Sequence, residues 1–330
     1  MQQSDYAPRA TMRAMGITAF GGPEVLQPVT VARPAPLPGD VLVRVHAVGL
    51  NPVDWKTRAG APTPAAAALS RPPHILGWDV SGVVEEVGPG VHLHQPGDEV
   101  FGLLWFPRPA GAYAEYVAAP ARQFAPKPRS LDHIHAAAMP LAGLTALHAL
   151  TDATDIRRGD RVLVHAAGGG VGHLAVQIAK HLGAHVIGTA RAHRHDQLRR
   201  LGADELIDYT TERFEDVAKD IDVVVDLVGG DAGQTSIRSL DVLRPGGTFL
   251  QVAPGVPPEL RELAAQRQIQ VTPAILVDPD GPGLRRLAAL ADNGELSVII
   301  EKVFALEQAA DAHRLAEQNH LTGKLVLQVH

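Results

Sequence analysis

The fold is decided by the stretch Val162-Leu-Val-His-Ala-Ala-Gly-Gly-Gly-Val171-Gly172. Its first three residues, 162–164, are apolar and predict a short buried strand, and the glycines that follow predict a tight turn. Gly183 ends the next segment, as glycine often does after a helix. Within that segment, apolar residues recur at the spacing of one helix face, at positions 171, 174, 175, 178, 179 and 182. The stretch therefore predicts a strand, a glycine turn and a helix in succession.

The glycines of this turn have the spacing of a dinucleotide-binding site. Ala167-x-Gly169-x-x-Gly172 fits the G-x-G-x-x-G pattern, with alanine at the first position. Gly169 would let the backbone approach a pyrophosphate, and Gly172 would let the helix pack on the strand. The first N–H groups of the helix would hold the phosphates. The predicted cofactor contacts in this turn are Gly168, Gly169, Gly170, Val171 and Gly172. The alternative interpretation is a plain tight turn that binds no cofactor.

Length, charge and cysteine content exclude several classes of protein. The chain has 330 residues, which suits two domains, and its net charge of -6 argues against a nucleic-acid partner. No apolar run approaches the roughly 18 residues of a membrane helix, and residues 1–10 lack the apolar core of a signal peptide. We expect residues 1–10 to be a disordered extension, and the protein to be cytoplasmic with a small-molecule substrate. Cysteine is absent, which excludes disulfides and cysteine-ligated zinc.

Proline divides the chain into a loop-rich first part and a regular middle. Of its 26 prolines, 19 lie in residues 1–140 and none lies in residues 141–244. Proline interrupts helices and central strands, so the first part is typical of an antiparallel, partly closed β-barrel. Its expected strands are 41–48, 80–87, 98–104 and 113–119.

The middle of the chain alternates between strand and helix patterns. Strands are expected at 162–166, 185–189, 205–208, 223–228, 248–252 and 269–272, with helices at 172–182, 196–201, 233–243 and 258–267. This alternation predicts an α/β fold with a doubly wound parallel sheet. The tail holds two further helices and two strands, is too short to fold alone, and is expected to return to the first part. Two domains are expected. The first comprises residues 11–140 and is completed by residues 279–330, and the second comprises residues 141–278.

Short motifs of one protein family occur in order along nearly the whole chain. They occupy residues 20–26, 49–54, 77–84, 97–100, 111–116, 141–146, 201–209 and 323–326. Together with the glycine turn they resemble the zinc-free, quinone oxidoreductase-like branch of the medium-chain dehydrogenase/reductase superfamily. The resemblance implies a GroES-like barrel domain, a Rossmann domain and an active site in the cleft between them. We expect a homodimer.

The chain departs from the zinc-dependent members of that family at their metal ligands. Those members carry a cysteine where Asn51 stands and Gly-His-Glu where Gly77-Trp78-Asp79 stands. Neither ligand set is present, so we predict no metal site. Three histidine pairs have the alternating spacing that can bind zinc on a strand, but no third ligand is near them in the sequence. We expect surface pairs at 92/94, 133/135 and 193/195.

The turn after the second strand of the middle region favours NADPH over NADH. An NAD site usually has an acid there to bind the ribose hydroxyls. Here Arg191 and Arg194 occupy the turn, and no acid precedes Asp196. An arginine can pair with a 2′-phosphate through its fork of N–H donors, whereas an acid would repel it. We therefore predict NADPH, and a solvated basic turn is the alternative.

Further cofactor contacts are expected on other elements. The resemblance implies contacts from Thr145, Tyr209 and Lys324, although Lys324 could be an ordinary lysine beside a strand. An open α/β sheet binds its ligand at the carboxyl ends of its strands. This rule makes two groups of residues candidates for contact with the cofactor. The residues that follow the fourth and fifth strands are Val228, Gly229, Val252 and Ala253, and those near the return to the first domain are Leu276 and Val277. Leu276 and Val277 could equally belong to the core.

The missing zinc ligands make alcohol oxidation the less plausible chemistry. We expect hydride transfer from the nicotinamide to a quinone or another electron-poor α,β-unsaturated carbonyl. Asn51 is the candidate catalytic donor to the carbonyl oxygen, or else part of an Asn-Pro turn. Asp54 is expected near the substrate pocket as a structural acid, and Trp55 and Trp78 would line the pocket or fill core. The alternatives are a specific enone or enoyl-thioester reductase and a non-catalytic NADPH-binding protein.

Overall fold

The first part of the chain consists of short strands separated by turns. The computed structural model describes residues 10–230, 234–318 and 321–330, so the predicted extension lies outside the described residues except for Ala10. The strands are β1 (Thr11–Ile17), β2 (Gln27–Ala32), β3 (Asp40–Gly49), β4 (His74–Ile75), β5 (Asp79–Val87), β6 (Glu99–Leu103), β7 (Tyr116–Pro120) and β8 (Phe124–Pro126). The helices of this part are α1 (Pro52–Arg58), α2 (Pro64–Ala67) and α3 (His133–Ala137).

The middle of the chain forms a parallel sheet with helices between its strands. The elements are α4 (Pro140–Thr151), β9 (Arg161–Val164), α5 (Gly172–His181), β10 (His185–Thr189), α6 (His195–Arg200), β11 (Glu205–Ile207), α7 (Phe214–Val217), β12 (Ile221–Asp226), α8 (Thr235–Arg238), β13 (Leu243–Gln251), α9 (Leu260–Gln266) and β14 (Gln270–Val271). The strand order is β11-β10-β9-β12-β13-β14 and every pairing is parallel. This is the 3-2-1-4-5-6 order of a Rossmann sheet, which confirms the predicted α/β fold.

The tail returns to the first part of the chain. It contains α10 (Gly281–Asp292), β15 (Ile300–Ala305), α11 (Ala309–Ala316) and β16 (Lys324–Gln328). β16 pairs with β15 on one side and antiparallel with β3 on the other. These strands join β5, β6, β7 and β8 in a seven-stranded sheet, beside a three-stranded sheet of β2, β1 and β4. The expected GroES-like antiparallel sheet is thereby confirmed, and the exact domain boundaries remain predictions.

One apolar core connects the two halves of the molecule. Its buried members include Phe101 of β6, Leu147 of α4 and Val164 of β9. Full burial of each such side chain stabilises the fold by about 1.5–3 kcal/mol. The two sheets are therefore joined by a shared interior. Within the described residues, no helix has the length and apolar character that crossing a membrane requires.

Several helices differ from the sequence-based expectations, and the short helices α1, α2, α3 and α7 were not predicted. Helix α4 was not predicted, because nearly all of its residues are buried and it lacks the polar face that gives a helical period. The helix expected at 233–243 is shorter, with α8 followed by a 3-10 turn at Ser239–Asp241, and residue 233 lies outside the described residues. Ser236 and Ser239 both donate side-chain hydrogen bonds there, which favours short, capped turns over a long helix.

Candidate cofactor and substrate site

The glycine loop connects β9 to α5 through a left-handed turn. Ala166 has a φ of 49°, and its carbonyl accepts a hydrogen bond from the N–H of Gly169 at 2.9 Å. A Cβ on Gly172 would lie 2.2 Å from that same carbonyl oxygen. Glycine at position 172 is therefore required by the packing of the helix start against the loop after β9, whereas the expected close contact was with the strand itself.

Gly169 has a different environment. A Cβ at this position would meet a single protein atom within 4 Å, the carbonyl oxygen of Ala166 at 3.2 Å. Packing alone therefore does not explain this glycine. In the described part of the chain, the N–H groups of Gly170 and Val171 have no hydrogen-bond partner. Open space beside unpaired N–H groups at the start of a helix fits the phosphates of a dinucleotide.

Arginines from the end of β10 flank this loop. A Cβ on Gly168 would lie 2.7 Å from Cδ of Arg194, so the Arg194 side chain crosses directly over the loop. The Arg191 Nε donates to the hydroxyl of Tyr209 at 3.2 Å. The nearby carboxylate of Asp208 accepts hydrogen bonds from its own turn and from the N–H of Ala192. Arg194 therefore lies over the loop, Arg191 lies against Tyr209, and the carboxylate of Asp208 is occupied.

The loops after β12 and β13 lie against each other at the same edge of the sheet. Asp226 is fully buried and accepts hydrogen bonds from the N–H groups of Val228 and Gly229 at 3.0 and 3.1 Å. A Cβ on Gly229 would clash with the carbonyl of Pro254 at 2.4 Å, which shows how tightly the two loops pack. The predicted residues that follow these two strands, Val228, Gly229, Val252 and Ala253, are thus brought together.

Exposed apolar side chains mark this edge of the sheet. Tyr209 is 51% exposed, Val228 is 38% exposed and Leu276 is 56% exposed. Each follows a strand of the parallel sheet or lies near its carboxyl edge, where a ligand would cover it. Val277 is buried in the core, and Thr145 is buried with its hydroxyl donating to the Leu141 carbonyl at 2.7 Å. Contact of these two residues with a cofactor stays a prediction.

Lys324 connects the glycine loop to the first domain. It is 3% exposed, and a Cβ on Gly170 would lie 3.1 Å from its Cδ. Its ammonium donates to the carbonyl of Leu50 at 2.6 Å and to Oδ1 of Asn51. The lysine stem thus lies at the loop, while its charge lies beside the candidate catalytic amide.

Asn51 is held on both sides of its carboxamide. Its Oδ1 accepts from Lys324, and its Nδ2 donates to Oδ2 of Asp79 at 2.8 Å. The other oxygen of Asp79 accepts from the N–H of Leu141 at the first turn of α4. A carboxamide nitrogen carries two N–H donors, and the second has no partner among the described residues. Asn51 is only 1% exposed, so its orientation is strongly fixed.

Two buried carboxyl groups share this lysine. Burial raises the pKa of Asp79 to about 6, while the neighbouring Lys324 ammonium opposes that rise. Burial raises the pKa of Asp54 to about 8, and a hydrogen bond from the Asn51 backbone opposes it. Burial also lowers the pKa of Lys324, against the pull of both carboxyls. The buried cluster therefore contains two carboxyl groups and one ammonium group, shielded from water.

The predicted pocket residues do not all face the same space. Trp78 is 1% exposed, its Nε1 donates to the Arg108 carbonyl at 2.8 Å and its ring packs edge-on against Phe106. Of the two roles considered for Trp78, this burial fits core packing. Trp55 is partly buried beside His313, with ring centroids 6.5 Å apart. Asp54 caps α1 through the Asn51 backbone N–H at 2.6 Å, a structural role.

The histidine pairs are not uniformly on the surface. His94 is buried and its Nε2 lies 3.2 Å from the Ala121 carbonyl, and the His133 ring contacts the Ser81 hydroxyl at 2.8 Å. The expectation of surface pairs is therefore wrong for His94 and His133, because each side chain has a polar partner inside the fold. Among the described residues, no three histidine or carboxylate side chains lie close enough together to hold a metal.

Sequence reasoning missed the support that Asp79 gives to Asn51, and it missed two further polar residues of the site. Asp226 ends the fourth parallel strand, so its position at a carboxyl edge was the signal that could have identified it. His173 is fully buried in the first turn of α5 and contacts the Gly169 carbonyl. A polar residue directly after a glycine loop was the available signal there.

Similarity to known proteins covers the whole fold. A family model described as alcohol dehydrogenase GroES-like domain matches residues 37–129, and one described as zinc-binding dehydrogenase matches residues 201–327. A 2-haloacrylate reductase from a Burkholderia species is 36% identical over 93% of this chain and 96% of its own length. The chloroplastic NADPH-dependent alkenal/one oxidoreductase of Arabidopsis thaliana is 34% identical over 96% of this chain and 79% of its own.

A solved structure agrees with these sequence relatives. The quinone oxidoreductase from Coxiella burnetii matches with a TM-score of 0.90 and 39% identity, covering 97% of this chain and 100% of that one. Its fold, both family models and the full-length relatives all indicate the same protein family. The chain therefore belongs to the medium-chain dehydrogenase/reductase superfamily, in its quinone oxidoreductase-like branch.

Proposed function

We propose that this protein is an NADPH-dependent reductase that delivers hydride to a quinone or another electron-poor α,β-unsaturated carbonyl without zinc. The observation that carries the proposal is the position of Lys324. Its stem lies against Gly170 of the glycine loop, and its ammonium holds Asn51. One side chain thus connects the cofactor loop to a hydrogen-bond donor. The bound nicotinamide would supply the hydride.

The role of the protein in this proposal is to stabilise charge on the substrate oxygen. Lys324 and Asp79 together fix the carboxamide of Asn51, so that its second N–H can donate to a carbonyl oxygen. A donor that is oriented before the reaction stabilises developing negative charge without the cost of reorganisation. Water or a cofactor hydroxyl would supply the proton.

The preference for NADPH is supported by charge at the end of β10. Arg194 crosses the glycine loop, and Arg191 contacts Tyr209 beside it. Two guanidinium groups beside an occupied acid favour a 2′-phosphate over a free ribose hydroxyl. The Arabidopsis relative is named as NADPH-dependent, which agrees with this choice.

The substrate class is supported by what the relatives' names have in common. A 2-haloacrylate, an alkenal or alkenone, and a quinone all have a carbon–carbon double bond conjugated to a carbonyl or carboxyl group. Hydride addition to such a bond places negative charge on the oxygen, where the Asn51 amide would act. An enone or enoyl-thioester reductase of narrower specificity would use the same chemistry.

Zinc independence rests on the donor set. The chain has no cysteine, and Asn51 and Trp78 occupy positions where zinc-dependent relatives have ligands. A Lys324 ammonium beside Asn51 also disfavours a second cation there. We expect activity to survive dialysis against a strong chelator, with far less than one zinc per chain by elemental analysis. Stoichiometric zinc that is lost together with activity would contradict this part of the proposal.

The function is tested by NADPH oxidation with a panel of quinones, enones and enoyl thioesters. We expect turnover of at least one acceptor, and deuterium transfer from labelled NADPH to a product that mass spectrometry detects. Turnover confined to one enone or enoyl thioester would favour the narrower reductase. Tight NADPH binding without turnover of any acceptor would favour a non-catalytic binding protein. We also propose a homodimer in the cytoplasm, and light scattering of the purified protein tests its assembly.

A further inference from the structure

His173 joins the glycine loop to the returning tail. Its ring lies in the first turn of α5, and it is 0% exposed. Its Nδ1 lies 2.8 Å from the carbonyl oxygen of Gly169, and its Nε2 lies 3.1 Å from the backbone nitrogen of Ile299. Both ring nitrogens are therefore engaged, one by the glycine loop and one by the tail.

These two contacts determine which ring nitrogen carries the proton. The backbone N–H of Ile299 can only donate, so Nε2 of His173 must accept and carry no hydrogen. The proton of a neutral imidazole then resides on Nδ1, which donates to the Gly169 carbonyl. Burial lowers the pKa of His173 to about 4, so the ring is neutral at physiological pH.

The Gly169 carbonyl belongs to the same peptide unit as the N–H of Gly170. In a trans peptide these two groups point in opposite directions. The carbonyl also accepts a hydrogen bond from the backbone N–H of His173 at 3.2 Å. A carbonyl held against the ring and backbone of His173 turns the Gly170 N–H away from the helix. That N–H is one of the unpaired donors in the described part of the chain.

We propose that His173 is a positioning residue for cofactor binding, which holds the Gly169–Gly170 peptide with its N–H directed at the pyrophosphate. This inference rests on the proposed NADPH site. The bond to Ile299 would also keep the loop in register with the tail, because Ile299 accepts from the N–H of Lys324 at 2.9 Å. His173 thus contacts the glycine loop directly, and it contacts the segment that binds the Lys324 backbone through Ile299.

Two substitutions separate the donor from the rest of the ring. In His173→Asn the side-chain amide can stand near the Nδ1 position and still donate to Gly169. In His173→Gln the amide reaches toward Ile299 and leaves the Gly169 carbonyl without its side-chain donor. We expect His173→Gln to weaken NADPH binding about 5- to 10-fold in a fluorescence titration, the ratio that loss of one hydrogen bond gives. We expect His173→Asn to stay within about twofold of wild type.

Adenosine 2′-monophosphate distinguishes positioning from general damage, because it has the 2′-phosphate but no pyrophosphate. Its affinity should be unchanged in both variants, and in the control His181→Asn, which lies on the exposed end of α5. The proposal is overturned if His173→Gln binds NADPH normally, if both variants weaken it equally, or if the affinity for adenosine 2′-monophosphate falls in parallel. A wild-type protein that binds neither ligand would instead refute the proposed function.

A measurement on the unmodified protein covers the case in which the variants fail to fold. Nitrogen-15 NMR of the wild-type imidazole at neutral pH should report a neutral ring with its proton on Nδ1. A charged ring, or a proton on Nε2, would contradict the assigned hydrogen bonds and with them the proposal.

Discussion

The ammonium of Lys324 donates a hydrogen bond to Oδ1 of Asn51, although the two residues stand 273 positions apart in the chain. The register of the antiparallel sheet explains the meeting. Val326 of β16 pairs with Gly49 of β3, so residue 324 lies level with residue 51, just beyond the end of β3. Strand pairing between the tail and the first domain therefore sets the distance between the cofactor loop and the candidate donor.

Replacement of Lys324 by methionine should slow the reaction more than it weakens cofactor binding. Methionine keeps an apolar stem against Gly170 but removes the charge that orients Asn51. A hydrogen bond to a charged group contributes about 1.5–3 kcal/mol, so kcat should fall roughly 10- to 150-fold. Steady-state kinetics with the best acceptor and an NADPH titration measure the two effects separately.

Lys302→Met is the matched control, since Lys302 is exposed on β15 and should leave both quantities unchanged. Should Lys324→Met lose NADPH affinity while its kcat stays normal, the ammonium acts on the cofactor itself and not on Asn51.

Gly169→Val should abolish NADPH binding while most of the stability remains. The added side chain would enter the space beside the unpaired N–H groups, where its Cβ has one close protein neighbour. Gly172→Ala is the contrasting change, because its Cβ would lie 2.2 Å from a backbone oxygen and overpacking costs about 1–3 kcal/mol. Thermal unfolding of the cofactor-free proteins should show the larger drop for Gly172→Ala. Normal NADPH affinity in Gly169→Val would refute the assignment of the glycine loop as the cofactor site.

Arg191→Ala should reduce the preference for NADPH. A charge-assisted hydrogen bond to the 2′-phosphate is worth about 1.5–3 kcal/mol, so the Kd for NADPH should rise roughly 10- to 150-fold while that for NADH hardly changes. Arg199→Ala on α6, where Arg199 pairs with Asp196, is the surface control. Equal weakening of both cofactors would mean that Arg191 positions the loop through Tyr209 and does not bind the phosphate.

The contribution of Asp54 to the stability of the protein should fall as the pH rises from about 4 to 8. Four buried histidines, whose pKa values burial lowers, contribute in the opposite direction below about 6.5: His46, His165, His173 and His313. The folded-state pKa of Asp54 is raised from 3.8 to about 8, so its contribution is fully present below 3.8 and is lost as the pH rises through 8. One such group changes the free energy of unfolding by at most about 1.4 kcal/mol per pH unit. Asp79 adds a similar trend between 3.8 and about 6.

Asp54→Asn should remove this contribution, so that its profile differs from that of wild type by the Asp54 effect alone, since asparagine is neutral throughout and keeps an oxygen for the Asn51 backbone N–H. Urea unfolding at pH 5 and pH 8 measures the change, with exposed Asp196→Asn as the control. Parallel pH profiles for wild type and Asp54→Asn would show that Asp54 is ionised in the folded protein across this range.

Local patterns were sufficient to predict the parallel sheet. The run at 162–164, the glycine turn and the helical period after it all act within about twenty residues, and the structure contains each of them as β9, the loop and α5. Helix α4 could not be found in that way, because burial on all sides removes the alternation of polar and apolar residues from which a helix is recognised.

The network at Asn51 could be predicted only in part. The resemblance identified Asn51 and Lys324 as candidates, but nothing in the spacing of the sequence indicated that they bond to each other or that Asp79 holds the amide. Those contacts depend on strand register and on the approach of α4 to β5, which are set by tertiary packing. The tautomer of His173 likewise depends on Ile299, which is 126 residues away.

The pairing of β16 with β3 also has a consequence for biosynthesis. A ribosome makes the chain from its amino end, and domains generally begin to fold as they emerge. The parallel sheet is complete once β14, at residues 270 and 271, has emerged, so the glycine loop can form at that stage. Lys324, the segment at 299 and the strand that aligns them come later. We therefore expect a stage in synthesis at which the glycine loop has formed but the contacts that orient Asn51 have not. Under the proposed function, hydride transfer would begin only after the tail has docked.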